Sequence, residues 1–159
     1  MAIYMKYGDI KGSVTTEGFK DWIELNSLQF GIGRGIGSPT GSDKTREASA
    51  PSISEITVTK MMDESTGKLV TDAWAGEMNS KVEIKLTTTT KDKTEAYLTY
   101  ELKNTGLSGY SVSSGGDRPQ ESLSLNFTAI NIKWMDRDSG GKAQPSVIGY
   151  DLSQMKKTA

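Results

Sequence analysis

Residues 121–134, ESLSLNFTAINIKW, alternate apolar and polar side chains with a period of two, and the alternation changes phase partway along. Leu123, Leu125, Phe127 and Ala129 fall on one face, after which Ile130, Ile132 and Trp134 fall on the other. A period-two run marks a half-buried strand. One added residue that swaps the buried face marks a bulge or bend, the device by which a strand leaves one sheet for another. The stretch therefore predicts a mainly β chain, a compact β-barrel of two sheets, with Leu123, Leu125, Phe127, Ile130 and Ile132 in its core.

The rest of the chain supplies strands to pair around this one. Residues 3–7 alternate Ile3, Met5 and Tyr7 against Tyr4 and Lys6, and Gly8-Asp9 with Lys11-Gly12 provides turn chemistry. Residues 19–31 carry Trp22, Ile23, Leu25, Leu28 and Phe30 without one clean phase, so their first half also admits a helix. Residues 53–62 resume the strand pattern with Ile53, Ile56, Val58 and Met61. Residues 81–89 and 96–102 alternate cleanly around a polar 90–94 segment and predict a hairpin. A shorter strand follows over 107–113, then a turn at Ser114-Gly115-Gly116-Asp117. Residues 135–145 read as a loop, 147–152 as a closing strand, and 156–159 as frayed.

Two segments break the β pattern. Over 63–79 the period becomes helical: Leu69 pairs with Ala73 and Val70 with Trp74, each at i, i+4. Ser65 or Thr66 is the expected N-cap and Gly76 the terminator, giving one helix packed on the barrel through Leu69, Val70, Ala73 and Trp74. Residues 31–51, GIGRGIGSPTGSDKTREASAP, hold only two large aliphatic side chains. Structureless connections longer than about 12–15 residues within a compact domain tend to be functional or disordered, so this long extended loop needs a purpose.

Chemistry is harder to place. The glycines of 31–41 invite a phosphate, yet neither G-x-G-x-x-G nor G-x-x-x-x-G-K-[ST] fits them in any register. Asp136-Arg137-Asp138 opens like a calcium loop, but Gly140 and Val147 stand where an oxygen ligand and a bidentate Glu belong. The sequon Asn126-Phe127-Thr128 lies inside a predicted strand. With no His and no Cys, the Ser/His and Cys/His nucleophile arrangements are excluded, and a general base would have to be a carboxylate. No cofactor, metal or catalytic residue is expected. A formal net charge of -1 offers no basic field for nucleic acid, and no window is long and apolar enough to span a bilayer. The segment MAIYMKYGDIKG lacks a signal-peptide core, so export by a cleavable signal is not expected. At 159 residues the chain reads as a single domain, 1–159.

In chain order, several segments resemble the haemolysin-coregulated protein (Hcp) family of bacterial type VI secretion. They are Gly8-Asp9-Ile10-Lys11-Gly12, Trp22-Ile23-Glu24-Leu25, Ile56-Thr57-Val58-Thr59-Lys60, the helix opening from Ser65 to Leu69, Asp117-Arg118-Pro119-Gln120-Glu121, Leu125-Asn126-Phe127 and Gly149-Tyr150-Asp151-Leu152. The match is weakest over 31–51. The resemblance implies a barrel with one side helix, assembled as a homo-hexamer whose rings stack into a tube inside a sheath, with a spike at its tip and effector proteins in its lumen. It implies synthesis in the cytoplasm followed by secretion. It also implies that the long loop reaches a neighbouring subunit or ring, where Arg34, Asp43, Lys44, Arg46 and Glu47 would set register. The rival reading is a stand-alone β-sandwich binding glycans through exposed Trp22, Tyr110 or Trp134, and a carboxylate enzyme comes third.

Overall fold

The computed structural model describes residues 1–37, 47–48, 50–137 and 143–158. Its strands are β1 (Ala2–Tyr7), β2 (Ile23–Leu25), β3 (Ser27–Gln29), β4 (Ile32–Gly33), β5 (Ile36–Gly37), β6 (Glu47–Ala48), β7 (Ser52–Ile53), β8 (Ile56–Met61), β9 (Ser80–Thr90), β10 (Lys93–Ser113), β11 (Gln120–Asn126), β12 (Ala129–Arg137), β13 (Ala143–Asp151) and β14 (Lys156–Lys157). A single helix, α1 (Thr66–Ala75), interrupts them among the described residues. No described helix is long and apolar enough to cross a membrane.

Two antiparallel sheets share β10. The larger runs β2-β1-β9-β10-β12-β13-β14, using the first half of β10, and the smaller runs β10-β11-β8-β3, using its second half. The chain also passes between sheets at Asn26, which separates β2 from β3 and donates its N–H to the Thr59 carbonyl at 2.7 Å. The expected mainly β fold is present. Its closure differs from a simple barrel: among the described residues no single ladder closes on itself, and the two sheets are joined at corners where strands change partner.

The phase change in 121–134 marks one of these corners. The expected bulge or bend is a break in the ladder at Phe127 and Thr128, and the expected change of sheet occurs there, leaving β11 in one sheet and β12 in the other. Conversely, the two strands expected over 96–102 and 107–113 are one 21-residue strand, bent where its pairing with β9 shifts between Leu102 and Thr105. Asn104, at φ 48, takes the left-handed conformation there. The predicted hairpin turn is Lys91-Asp92, with Lys91 at φ 51. The segment expected to fray contains β14, which pairs Lys157 with Tyr150 and Lys156 with Asp151. Residues 19–22 take no helix; Phe19 and Trp22 pack with Tyr4 and Val14 in a small second cluster.

The main core lies between the sheets. Leu123 and Leu125 are fully buried, Phe127 and Ile130 nearly so, and Ile132 is half-buried against them. Register explains the rest: Ile23, Met5, Ile84, Tyr100, Ile132 and Ile148 stand opposite one another on successive strands, forming one row across six of them. Directly paired residues share a face. Burial along this row declines from complete at Ile23, Met5 and Ile84 to half at Ile132, and Ile148 is 41% exposed. The larger sheet outruns the smaller one, and its inward face emerges at β13.

Helix α1 packs on β10 through Leu69, which is fully buried, with Val70 and Ala73 half-buried. Trp74 corrects the expectation: it is 76% exposed and packs on nothing in the core. Leu69 and Ala73 define the buried stripe, and Trp74 lies one position further around the helix.

Candidate functional site

The segment 31–51 departs from the plain loop its composition suggests. Its described parts run antiparallel as an arm, β4 pairing with β7 (Ile32 with Ile53) and β5 with β6 (Ile36 with Ala48, Gly37 with Glu47). The arm is anchored where Gly31 and Ser54 exchange hydrogen bonds, each N–H reaching the other residue at 2.9 Å. Beyond that anchor it carries little core contact, since Ile32 is 61% and Ile36 60% exposed. Of the residues expected to contact a neighbour, Arg34 is exposed between the two isoleucines. Glu47 is placed by the backbone in β6. Asp43, Lys44 and Arg46 lie outside the described residues.

At the base of the arm lies an apolar groove of about 340 Å³. Phe30, Ile32 and Ile53 form one wall, Ile130, Ile132, Ile148 and Tyr150 the other, and Lys157 stands at it from β14. The groove exists because the row of inward side chains continues onto β12 and β13 without a facing sheet. Phe30 fills part of the gap, edge-on to Tyr100 at 5.8 Å, and burial raises the Tyr100 phenol above its ordinary value. Beside it the outer edge of β13 is unpaired before Gly149, whose carbonyl accepts from the Thr158 N–H at 3.0 Å, among the described residues, with Val147 44% exposed.

A polar centre sits inside the fold. Lys60 and Glu121 are both fully buried, directly opposed on β8 and β11, with Nζ 2.5 Å from Oε1. Lys60 also lies 3.0 Å from Asp63, Thr66 donates to Glu121 at 2.9 Å, and the Tyr110 hydroxyl donates to the other carboxylate oxygen. Buried charge is tolerated only when paired and hydrogen-bonded, and here every partner is present. The phenol of Tyr110 is pushed up to about 12, chiefly by burial and then by its bond to Glu121. Together these contacts fasten the start of α1 to the smaller sheet; the signal for them was legible, because alternation in 56–60 and 121–125 places Lys60 and Glu121 on the inward side.

Tyr7 makes a similar fastening further along α1, donating to Asp72 at 2.5 Å, and burial followed by that bond raises its phenol. The outer face of the larger sheet is lined by ordinary surface pairs, Lys81 and Lys85 near Glu83 and Lys133 near Glu101. The aromatics of the glycan reading are not exposed platforms. Trp22, Tyr110 and Trp134 are half-buried, Trp22 edge-on to Phe19 at 5.2 Å. Asp138 to Lys142, the middle of the calcium-like stretch, lie outside the described residues.

The profile of a family described as "Type VI secretion system effector, Hcp" matches residues 4–134. No curated protein matches the chain by sequence. Among solved structures, one described as a type six secretion system protein superposes with a TM-score of 0.87 at 28% identity, covering 99% of each chain. Hcp1 from Salmonella typhimurium has a TM-score of 0.75 at 18% identity, covering 99% of this chain and all of its own. A type VI secretion system effector from Yersinia pestis gives 0.73 at 15% identity, covering 94% and 98%. A sequence match over 4–134 joined to a fold shared along the whole length places this chain in the Hcp family of type VI secretion system effectors.

Proposed function

We propose that the chain acts as one domain, a structural subunit of the type VI secretion inner tube, closing into hexameric rings that stack and carry effector proteins through the lumen. The arm carries this reading: a β ribbon with exposed isoleucines and Arg34, anchored to its own core at its base, is a shape suited to contact with other copies. A ring needs unlike patches on one chain, and the open edge of β13 supplies a further one. A net charge of -1 lets many copies stack without strong mutual repulsion. Arg34, Asp43, Lys44, Arg46 and Glu47 then set register between copies, with sheath and spike proteins as the external partners and passage out of the cell as the destination. Negative-stain images of purified protein should show sixfold rings with an open centre. Deleting residues 40–49 should leave the monomer folded and weaken stacking. A chain that sediments as a monomer at high concentration would refute the reading.

A further inference from the structure

One inward row of the larger sheet ends on a charge. Tyr7, Val82, Leu102, Ile130, Tyr150 and Lys157 stand opposite one another on successive strands, and the first four are buried. Directly paired residues share a face, which places Lys157 beside Tyr150 at the rim of the apolar groove. The other lysine on an inward face, Lys60, is matched by Glu121 and Asp63. Lys157 is not: no carboxylate lines the groove, and among the described residues neither its ammonium nor the Tyr150 hydroxyl meets a side-chain partner. We propose that the groove binds a single-chain fatty acid, its alkyl chain lying on Ile130, Ile132 and Ile148 and its carboxylate meeting Lys157 and Tyr150.

Three observations choose this occupant. The volume of about 340 Å³ stands near the lower end of the range of about 300–1,000 Å³ for small-molecule sites, which suits one alkyl chain and not the two of a phospholipid. The lining is apolar apart from Tyr150, Lys157 and the backbone, so a peptide laid along its floor would bury amides against isoleucines without partners, whereas an alkyl chain carries no polar group to satisfy. The charge is complementary and sits at one end, which fixes the direction: chain inward, anionic head at the rim. Lys157 is exposed, so its ion pair with the ligand keeps part of its water and escapes most of the cost of burying charge. The assignment concerns a single folded chain and goes beyond the tube reading.

Titration calorimetry of the full chain with octanoate and decanoate, each below its micelle concentration, should show saturable binding of one molecule per chain. Decanoate should bind about fifteen-fold tighter, since each further buried CH₂ strengthens binding about four-fold. Lys157→Glu should weaken decanoate roughly ten-fold and leave 1-decanol unchanged. Ile148→Trp, which fills the floor from a position 41% exposed, should abolish binding of both, with an unchanged far-ultraviolet dichroism spectrum showing that the variant folds. No saturable decanoate binding, or binding that survives Ile148→Trp, overturns the site. Equal affinity of the wild type and Lys157→Glu for decanoate overturns the anionic head. Decanoate expelled whenever sixfold rings form would assign the groove to a second copy and overturn the proposal likewise, whereas absence of rings with decanoate still bound removes the tube reading alone.

Discussion

Replacing Lys60 by Met removes the only cation facing Glu121 among the described residues and is the sharpest test of the buried pair. Both side chains are fully buried, so the surviving carboxylate has no route to water. Two hydroxyl donors remain to it, Thr66 and Tyr110, and these hold the oxygens without neutralising the charge. Asp63, 12% exposed, loses the same lysine but sits near enough to solvent to be screened. Removing one member of a buried ion pair costs about 3–5 kcal/mol, since the other is left uncompensated. For a chain of this length that lowers Tm by about 6–20 °C. Urea unfolding of Lys60→Met against wild type, at one fixed protein concentration because association raises apparent stability, reads the loss directly. A Lys60→Met/Glu121→Leu double variant should lose less than Lys60→Met alone, as no uncompensated charge then remains between the sheets. A single-variant loss below about 1 kcal/mol, or a double variant worse than the sum of the two singles, would refute the pairing as described.

Alkaline unfolding should report on Tyr110. Its phenol titrates higher folded, about 12, than unfolded, 10.0, so the folded chain holds more protons in that interval and stability falls as pH rises through it. Tyr110→Phe should flatten that part of the stability–pH curve, which denaturant titrations at pH 9 to 12 would show. On α1, Leu69→Ala should cost about 2–5 kcal/mol, whereas Trp74→Ala, at 76% exposure, should stay within about 0.5 kcal/mol in thermal unfolding. Gly12→Ala places a Cβ 2.3 Å from the Trp22 carbonyl oxygen and 2.6 Å from the Ile23 Cα; it should destabilise by about 1–3 kcal/mol, measured by calorimetry.

Periodicity revealed most of the strands, because alternate burial is written directly into residues such as Leu123, Leu125, Val82 and Ile84. It could not decide between a bulge and a break at Phe127, since both shift the phase by one. Lys103-Asn104-Thr105-Gly106 reads as a turn by composition, and the bend it makes within β10 uses the same left-handed Asn that a turn would use. Trp74 was placed in the core by size and spacing. Two adjoining apolar stripes on a short helix look alike in sequence, and only the packing of Leu69 against the sheets selects between them. The arm was visible as a compositional change at Gly31, but its pairing was not, because Gly and Ser carry no alternation from which to read a register. The groove had no local signature at all, as it depends on which sheet is wider.

β10 gives the subunit a spine. Its 21 residues, at about 3.3 Å each, trace a path of about 70 Å through both sheets, with β9, β12 and β11 bonded along its length. Tension along the strand is resisted in shear by the β9 and β12 ladders over its first half and by the β11 ladder over its second, whereas a pull at right angles peels them one rung at a time. Each half of β10 is accordingly stiffest along its own direction, and the bend between Leu102 and Thr105 is where the two directions part.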